Sequence, residues 1–234
     1  QEQIERCAGR FKIAYSISGT ALEQMERWAP EALESFQALA RTGCVEFLAE
    51  TSHHSLSSIA SLDEFARQVR DQAERVEALF GTRPTTFRNT ELVVSNAIAR
   101  RVEELGFTAI LGEGADQLLG WRSPHRVYRP EGCESIKLLL RSYRYSDDIA
   151  FRFSNREWPH WPLSAERFAG WLADVPERDE YVGLFMDYET FGEHQWEDTG
   201  IFNFLRHLPA EILSHPDNSF VTVEEAAKNY PTRD

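Results

Sequence analysis

The chain has 234 residues, enough for one sizeable domain, and 42% are hydrophobic, including 15 Phe, 7 Tyr and 6 Trp, which argues against wholesale disorder. A formal net charge of −13 repels phosphate backbones and anionic bilayers, so nucleic acid and membrane are disfavoured as partners, whereas a neutral polymer such as a glycan meets no such barrier. Cys7, Cys44 and Cys133 form neither a disulfide framework nor a C-x-x-C metal pattern and suit a reducing cytoplasm. No apolar run reaches the roughly 18–20 residues of a membrane helix, and the first ten residues hold no apolar signal core.

In chain order, residues 11–18 (FKIAYSIS) alternate and are rich in strand formers. Residues 20–40 set Leu22, Met25, Ala29, Leu33, Phe36 and Leu39 on roughly one helical face, with a kink predicted at Pro30. Residues 44–50 (CVEFLAE) read as a second strand. Ser61 and Glu64 have the S-x-x-E spacing of a capping box, opening a helix with the stripe Leu62, Phe65, Val69, Val76 and Leu79. Residues 85–91 (TTFRNTE) read as a third strand running into a helix that shows Val94, Ile98, Val102 and Leu105 on one face and stops at Gly106. Strands are predicted at 108–113 (TAILGE) and 136–142 (IKLLLRS), separated by a long excursion over 120–135 of the kind that often binds ligands. Residues 181–189 (YVGLFMDYE) give the clearest strand signal of all.

This alternation predicts an α/β fold on a parallel sheet with right-handed crossovers, either open or closed into a barrel, as a single domain over 1–234. Chemistry in such folds sits where strands end. There the chain gathers Glu50 with His53 and His54, Thr90 with Glu91, Glu113 with Asp116, and Asp187 with Glu189.

Each carboxylate has two readings. Asp187 closes an apolar run, so partial removal from water would hold its proton and make it an acid, or it simply ends a strand in solvent or caps a helix. Glu91 stands before a helix whose positive end favours the ionised form, as a nucleophile needs, yet an acidic first turn is also an ordinary stabiliser worth about 0.3–1 kcal/mol. Retaining glycoside cleavage needs two such carboxyls roughly 5–5.5 Å apart. His53, His54 and His194 with Asp187, Glu189 and Glu193 invite a metal reading, but no H-x-x-x-H or H-E-x-x-H spacing is present, and bonds to sugar hydroxyls or backbone fit better. Trp121 and Trp196 lie in polar company where a ring face can stack on a pyranose, whereas Trp171 in FAGWLADV reads as core. Residues 145–155 (YSDDIAFRFSN) read either as a hydroxyl-binding loop using Asp148 and Arg152 or as a solvated helix start.

Together, residues 43–56 (GCVEFLAETSHHSL), 87–99 (FRNTELVVSNAIA), 111–124 (LGEGADQLLGWRSP), 146–155 (SDDIAFRFSN) and 186–202 (MDYETFGEHQWEDTGIF) resemble the α-amylase-like branch of glycoside hydrolase family 57. The likeness runs over nearly the whole chain, and D-x-E-x-F-G is its most specific motif. The resemblance implies a seven-stranded parallel (β/α) barrel, retaining hydrolysis or transfer on α-1,4-glucans and maltooligosaccharides, and no organic cofactor. It implies a nucleophile at Glu91 and an acid/base at Asp187, and the strand-end, loop and aromatic readings above place Glu50, His53, His54, Glu113, Trp121, Asp148, Arg152, Glu189, His194 and Trp196 around the substrate.

Two departures accompany it. The family's opening strand with its His-Gln-Pro motif has no counterpart here, and the family's further C-terminal helices are not reached, so the barrel is expected to be truncated. Two rivals remain: a glucan-binding barrel without useful turnover, and a metal-dependent carbohydrate deacetylase. A barrel short of one strand leaves two exposed edges, and such edges invite pairing. A homodimer is therefore expected, and light scattering over a concentration series checks it: a monomeric mass throughout counts against the dimer.

Overall fold

The computed structural model describes residues 1–233. Helix α1 (Glu2–Arg6) precedes strand β1 (Ile13–Ser16). Two helices, α2 (Gly19–Trp28) and α3 (Pro30–Ala40), take the place of the single kinked one: Pro30 has no N–H to donate, so it opens a new first turn after Ala29 leaves helical geometry at φ −145°. Strand β2 (Val45–Leu48) follows, then α4 (Ser57–Ala60) and the long α5 (Leu62–Phe80). Ser61 Oγ accepts the Glu64 N–H at 3.4 Å, but the Glu64 carboxylate turns to Arg67 and Gln68, so half of the expected capping box forms. Strand β3 (Thr86–Arg88), α6 (Asn96–Glu104), β4 (Ala109–Glu113), α7 (Asp116–Leu119), β5 (Lys137–Arg141), α8 (Tyr143–Ala150), α9 (Ala165–Ala173), α10 (Ile201–Ser214) and α11 (Val223–Asn229) complete the order.

All pairing within the sheets is parallel. β1 lies on β2 with Ile13 opposite Val45, and β3, β4 and β5 form a second sheet in that order. The two sheets meet at Ala49, whose N–H donates to Thr86 O (3.0 Å) and whose carbonyl accepts the Arg88 N–H (2.8 Å). The described residues thus contain five strands, one fewer than the six expected of a seven-stranded barrel without its first strand.

The segment 181–189 is the main correction, since it forms no strand. It runs beside β5, but the one backbone–backbone hydrogen bond between them among the described residues goes from Ser142 N–H, just past the strand, to Gly183 O (2.8 Å), and the Tyr181 hydroxyl, rather than a backbone carbonyl, accepts the Leu140 N–H. At Gly183 the two chains come so close that a Cβ would stand 2.5 Å from Leu140 O, which only glycine tolerates.

The core has an outer and an inner part. Outside, α5 and α6 press Phe65, Val69, Ile98 and Val102 onto Phe87 and Ile110, while Leu22, Leu33, Phe47 and Val76 pack under α2 and α3. On the other face of the sheet, Ala109 and Leu139 pack on Ala226 and Ala227 of α11. That helix ties the strands' N-terminal ends together. Glu225 pairs with Lys12, Glu46 accepts the Glu224 N–H at 3.0 Å, Glu224 accepts the Thr85 hydroxyl at 2.9 Å, and Lys137 Nζ donates to the carbonyls of Ala227 (2.6 Å) and Tyr230 (2.7 Å). No helix is long and apolar enough to cross a membrane among the described residues.

Near the end of α6, Glu103 accepts the N–H groups of Glu134, Ser135 and Ile136, closing the long 120–135 excursion onto β5. The Ser135 and Ile136 amides, which stabilise the ionised form, hold its carboxyl down to about 2. A carboxyl depressed on folding contributes stability above its ordinary value near 4.3 and loses it as pH falls toward the folded value. Glu103→Gln should therefore melt below the parent near neutral pH, with the gap closing between about pH 5 and pH 2. Thermal unfolding followed by circular dichroism checks this, and a gap independent of pH would point to packing instead.

Candidate active site

The Ala49 junction puts the residue after it, Glu50, next to the last residue of β3, Arg88. Both are buried, Glu50 at 2% and Arg88 at 7% exposure. Ser16, at the end of β1, donates its hydroxyl to Glu50 Oε2, and Arg88 Nη1 lies 3.7 Å from that oxygen. His54 Nδ1 stands 3.5 Å from Glu50 Oε1, and its other nitrogen, Nε2, is 3.2 Å from Glu91 Oε1. Arg88 Nη1 is also 3.4 Å from His54 Nδ1. A guanidinium only donates, so the neutral ring accepts at Nδ1 and carries its proton on Nε2, facing Glu91. The protonated ring donates on both sides, to Glu50 and to Glu91. In either state the N–H at Nε2 orients the Glu91 carboxylate.

Glu91 does not open a helix. α6 begins five residues later at Asn96, with Ser95 as its cap, so the expected help from a helix dipole is absent. Instead Glu91 and Leu92 occupy a tight 3-10 turn at φ 55° and 53°, left-handed values that cost on the order of 1–3 kcal/mol each for residues with a Cβ. The turn is locked around them. Asn89 Nδ2 donates to Val93 O (2.8 Å) and to Ser58 Oγ (3.0 Å), and buried Thr90 bonds Thr51 through their hydroxyls at 3.0 Å. His54 is left-handed too, at φ 49°. Of these three strained residues, His54 and Glu91 are the two whose side chains meet.

The second half of the site gathers on Arg141, at the end of β5. Its guanidinium donates to Phe185 O (2.7 Å) and to Glu113 Oε2 (3.0 Å), and pairs with Asp147. The Phe185 N–H donates to Ser146 Oγ at 3.1 Å, and Arg88 sits over the Phe185 ring at 5.3 Å, so this one residue touches both halves. Two positions on, Asp187 is exposed, which removes the expectation of a carboxyl shielded from water. Tyr188 then packs on Tyr15 (6.1 Å) and Phe36 (6.2 Å), holding the chain on the far side of Asp187. Burial, and Tyr188 beside it, push the Tyr15 hydroxyl up to about 12. Glu91 and Asp187 share no hydrogen bond or ion pair among the described residues.

The turn after Asp187 is anchored by Gln195, whose Nε2 donates to Ala150 O at 2.9 Å. Glu189, His194 and Trp196 stand exposed on it, as does Trp121 on its own loop. His53 turns away from Glu91 to bond Ser52 Oγ at 2.8 Å. Asp148, the residue after Asp147 of the Arg141 cluster, pairs instead with Arg152 at 2.7 Å. Among the described residues no group of three or more His, Cys, Asp or Glu side chains is placed to hold a metal ion, and the three cysteines are free and buried. Sequence reasoning missed Arg88, Arg141 and Ser16. The available signal was an arginine at the end of each of two apolar strands, where a cation needs carboxylate partners.

The profile of Glycosyl hydrolase family 57 matches residues 1–234. A protein of Methanocaldococcus jannaschii named "Putative alpha-amylase" is 46% identical over 225 residues, covering 95% of this chain and 47% of the relative. The crystal structure of a 4-alpha-glucanotransferase from Thermococcus litoralis superposes with a TM-score of 0.80 at 18% identity, over 99% of this chain and 36% of that one. A "putative polysaccharide deacetylase" from Mycobacterium smegmatis shares the fold at TM-score 0.68 and 15% identity, over the whole of this chain and 77% of that one. The chain thus spans about half the length of the curated relative it matches. On the full-length profile match and the 46% identity, the chain belongs to glycosyl hydrolase family 57.

Proposed function

We propose that this chain carries the reaction centre of a retaining glycosidase acting on α-1,4-glucans, on a framework equivalent to the family's seven-stranded barrel. The observation that carries this reading is Glu91, an exposed carboxylate held in a strained, locked turn at a strand end and hydrogen-bonded by His54 over buried Glu50. Strain of this kind persists where surrounding structure over-determines a position, and it concentrates at functional sites.

In the first step Asp187 gives its proton to the glycosidic oxygen as that oxygen leaves. Glu91 attacks the anomeric carbon, and a glycosyl ester forms on its carboxylate. In the second step Asp187, now a base, takes a proton from water, whose oxygen attacks the same carbon and frees Glu91. A sugar hydroxyl in place of water gives transfer. Asp187 is exposed, so the bound substrate itself has to shut water out of the site before the proton is passed. Trp121 and Trp196 offer stacking faces, and His53, Glu113, Glu189 and His194 offer hydroxyl partners, whereas Glu50, buried at 2% exposure, supports His54 from behind and does not reach the sugar. The dimer remains part of this proposal.

Product analysis on maltoheptaose and soluble starch tests the assignment. Asp187→Asn should lower kcat/KM by about 10²–10⁴-fold, and Glu91→Gln, which lacks the attacking oxygen, should abolish turnover while both remain folded by circular dichroism. A folded parent that leaves both glucans intact sinks the glycosidase, and chelator-sensitive acetate release from acetylated sugars would support the deacetylase.

His54→Ala should lower kcat by about 10²-fold with a smaller change in KM, since it frees Glu91 to leave its attack geometry. Steady-state kinetics on maltoheptaose reads this split. A rise in KM alone would make His54 a substrate contact without a positioning role.

A further inference from the structure

A second polar and aromatic recess lies beside the strand ends, between α8 and α9, with a volume of about 480 Å³. That is within the roughly 300–1,000 Å³ range of small-ligand sites. Tyr143, Trp158, His160 and Trp171 supply its rings, and the Asp148–Arg152 pair supplies its strongest polar groups. The rings support one another edge to face: Trp158 on His160 at 5.3 Å, His160 on Trp171 at 5.0 Å, and Trp158 on Trp171 at 6.1 Å. None of the four is buried, so their surfaces still meet solvent.

Two consecutive aspartates part company here. Asp147 turns to Arg141 and belongs to the strand-end cluster, whereas Asp148 turns to Arg152 and belongs to the recess. The recess is therefore built from the same helix as the proposed reaction centre but shares none of the Glu50–His54–Glu91 contacts. Its charges nearly cancel, since Arg144 and Arg152 face Asp148 and Asp174. A phosphate or carboxylate ligand would meet two carboxylates. A neutral polyol would find both donors and acceptors, and ring faces for its apolar side.

We infer that this recess binds a stretch of α-glucan away from the bond being cleaved. The inference rests on the glucan reading above and adds to it a second contact with the same polymer. It recasts Asp148 and Arg152 as ligands of the held chain rather than of the reacting sugar.

Affinity electrophoresis of the full chain through gels containing soluble starch tests it, with Glu91→Gln, Trp158→Ala and His160→Ala run alongside. Glu91→Gln should be retarded like the parent. Trp158→Ala and His160→Ala should weaken retardation about five- to tenfold, and should lower kcat/KM on starch more than on maltotriose. His160 is exposed, so its variant keeps the test valid should Trp158→Ala fail to fold. If the parent cleaves starch while both recess variants match it in retardation and in the starch-to-maltotriose ratio, the recess is structural and the inference fails alone. If the parent neither binds nor cleaves starch, the glucan reading fails and the recess inference with it.

Discussion

Two backbone hydrogen bonds at Ala49 determine where the rest of the site falls. They fuse a two-stranded and a three-stranded parallel sheet, and they fix the register of β2 against β3. A shift of one residue would send Glu50 to the opposite face, because strand side chains alternate. With the register as it is, Glu50 emerges beside Ser16 and Arg88, and His54 bridges from it to Glu91. Burying Glu50 at 2% exposure is costly unless it is paired, so the arginine and the serine hydroxyl are conditions of the fold as well as of the site. One pairing decision in the backbone thus sets the electrostatics of five side chains.

Much of this was legible in the sequence because it rests on local pattern. Strand formers at 11–18, 44–50, 108–113 and 136–142 became β1, β2, β4 and β5, and Ser61 opens α5 as its type suggests. Polar residues did collect at the ends of β2, β3 and β4, though not at 187–189, which no strand precedes, and the family resemblance singled out the carboxylates at 91 and 187. Two features were hidden. The apolar run before Asp187 looks like a strand, yet Gly183 lets it approach β5 too closely for a regular ladder, and Tyr181 fills a backbone role with a side chain. The turn at Glu91 looks like a helix start, yet Asn89 and Thr90 tie it to residues 30 or more positions away. Both outcomes depend on tertiary partners that no local window contains.

The two ends of the strands do different work, as in parallel α/β proteins generally. At their N-terminal ends, α11 binds the run before β1, β2, the entry to β3, and β5 through Lys12, Glu46, Thr85 and Lys137. Desolvation raises the Glu46 carboxyl, which accepts from the Thr86 hydroxyl and the Glu224 amide, whereas Lys228 holds Glu224 low. These carboxylates are spent on holding a short sheet together. At the C-terminal ends, by contrast, Glu91, Asp187 and Glu189 are exposed and held mainly through their backbones. Glu46, Glu224 and Glu225, which tie the strands' N-terminal ends together, are thus a separate set from the exposed Glu91, Asp187 and Glu189.

The contact that joins the two edges makes this division work. With five strands, β1 has a free side, and the ring of Tyr188 packs on Tyr15 of β1 and on Phe36 of α3 behind it. Tyr188 is also the residue after Asp187. On the other side, Phe185 is held by Arg141, Ser146 and Arg88. The segment 185–188 is thus clamped at both ends, with the carboxylate between them projecting into solvent. Packing on the rings of β1 and α3 and fixing the backbone of Asp187 are consequently one event: loosening the aromatic contact at Tyr15 would release the carboxylate at the same time.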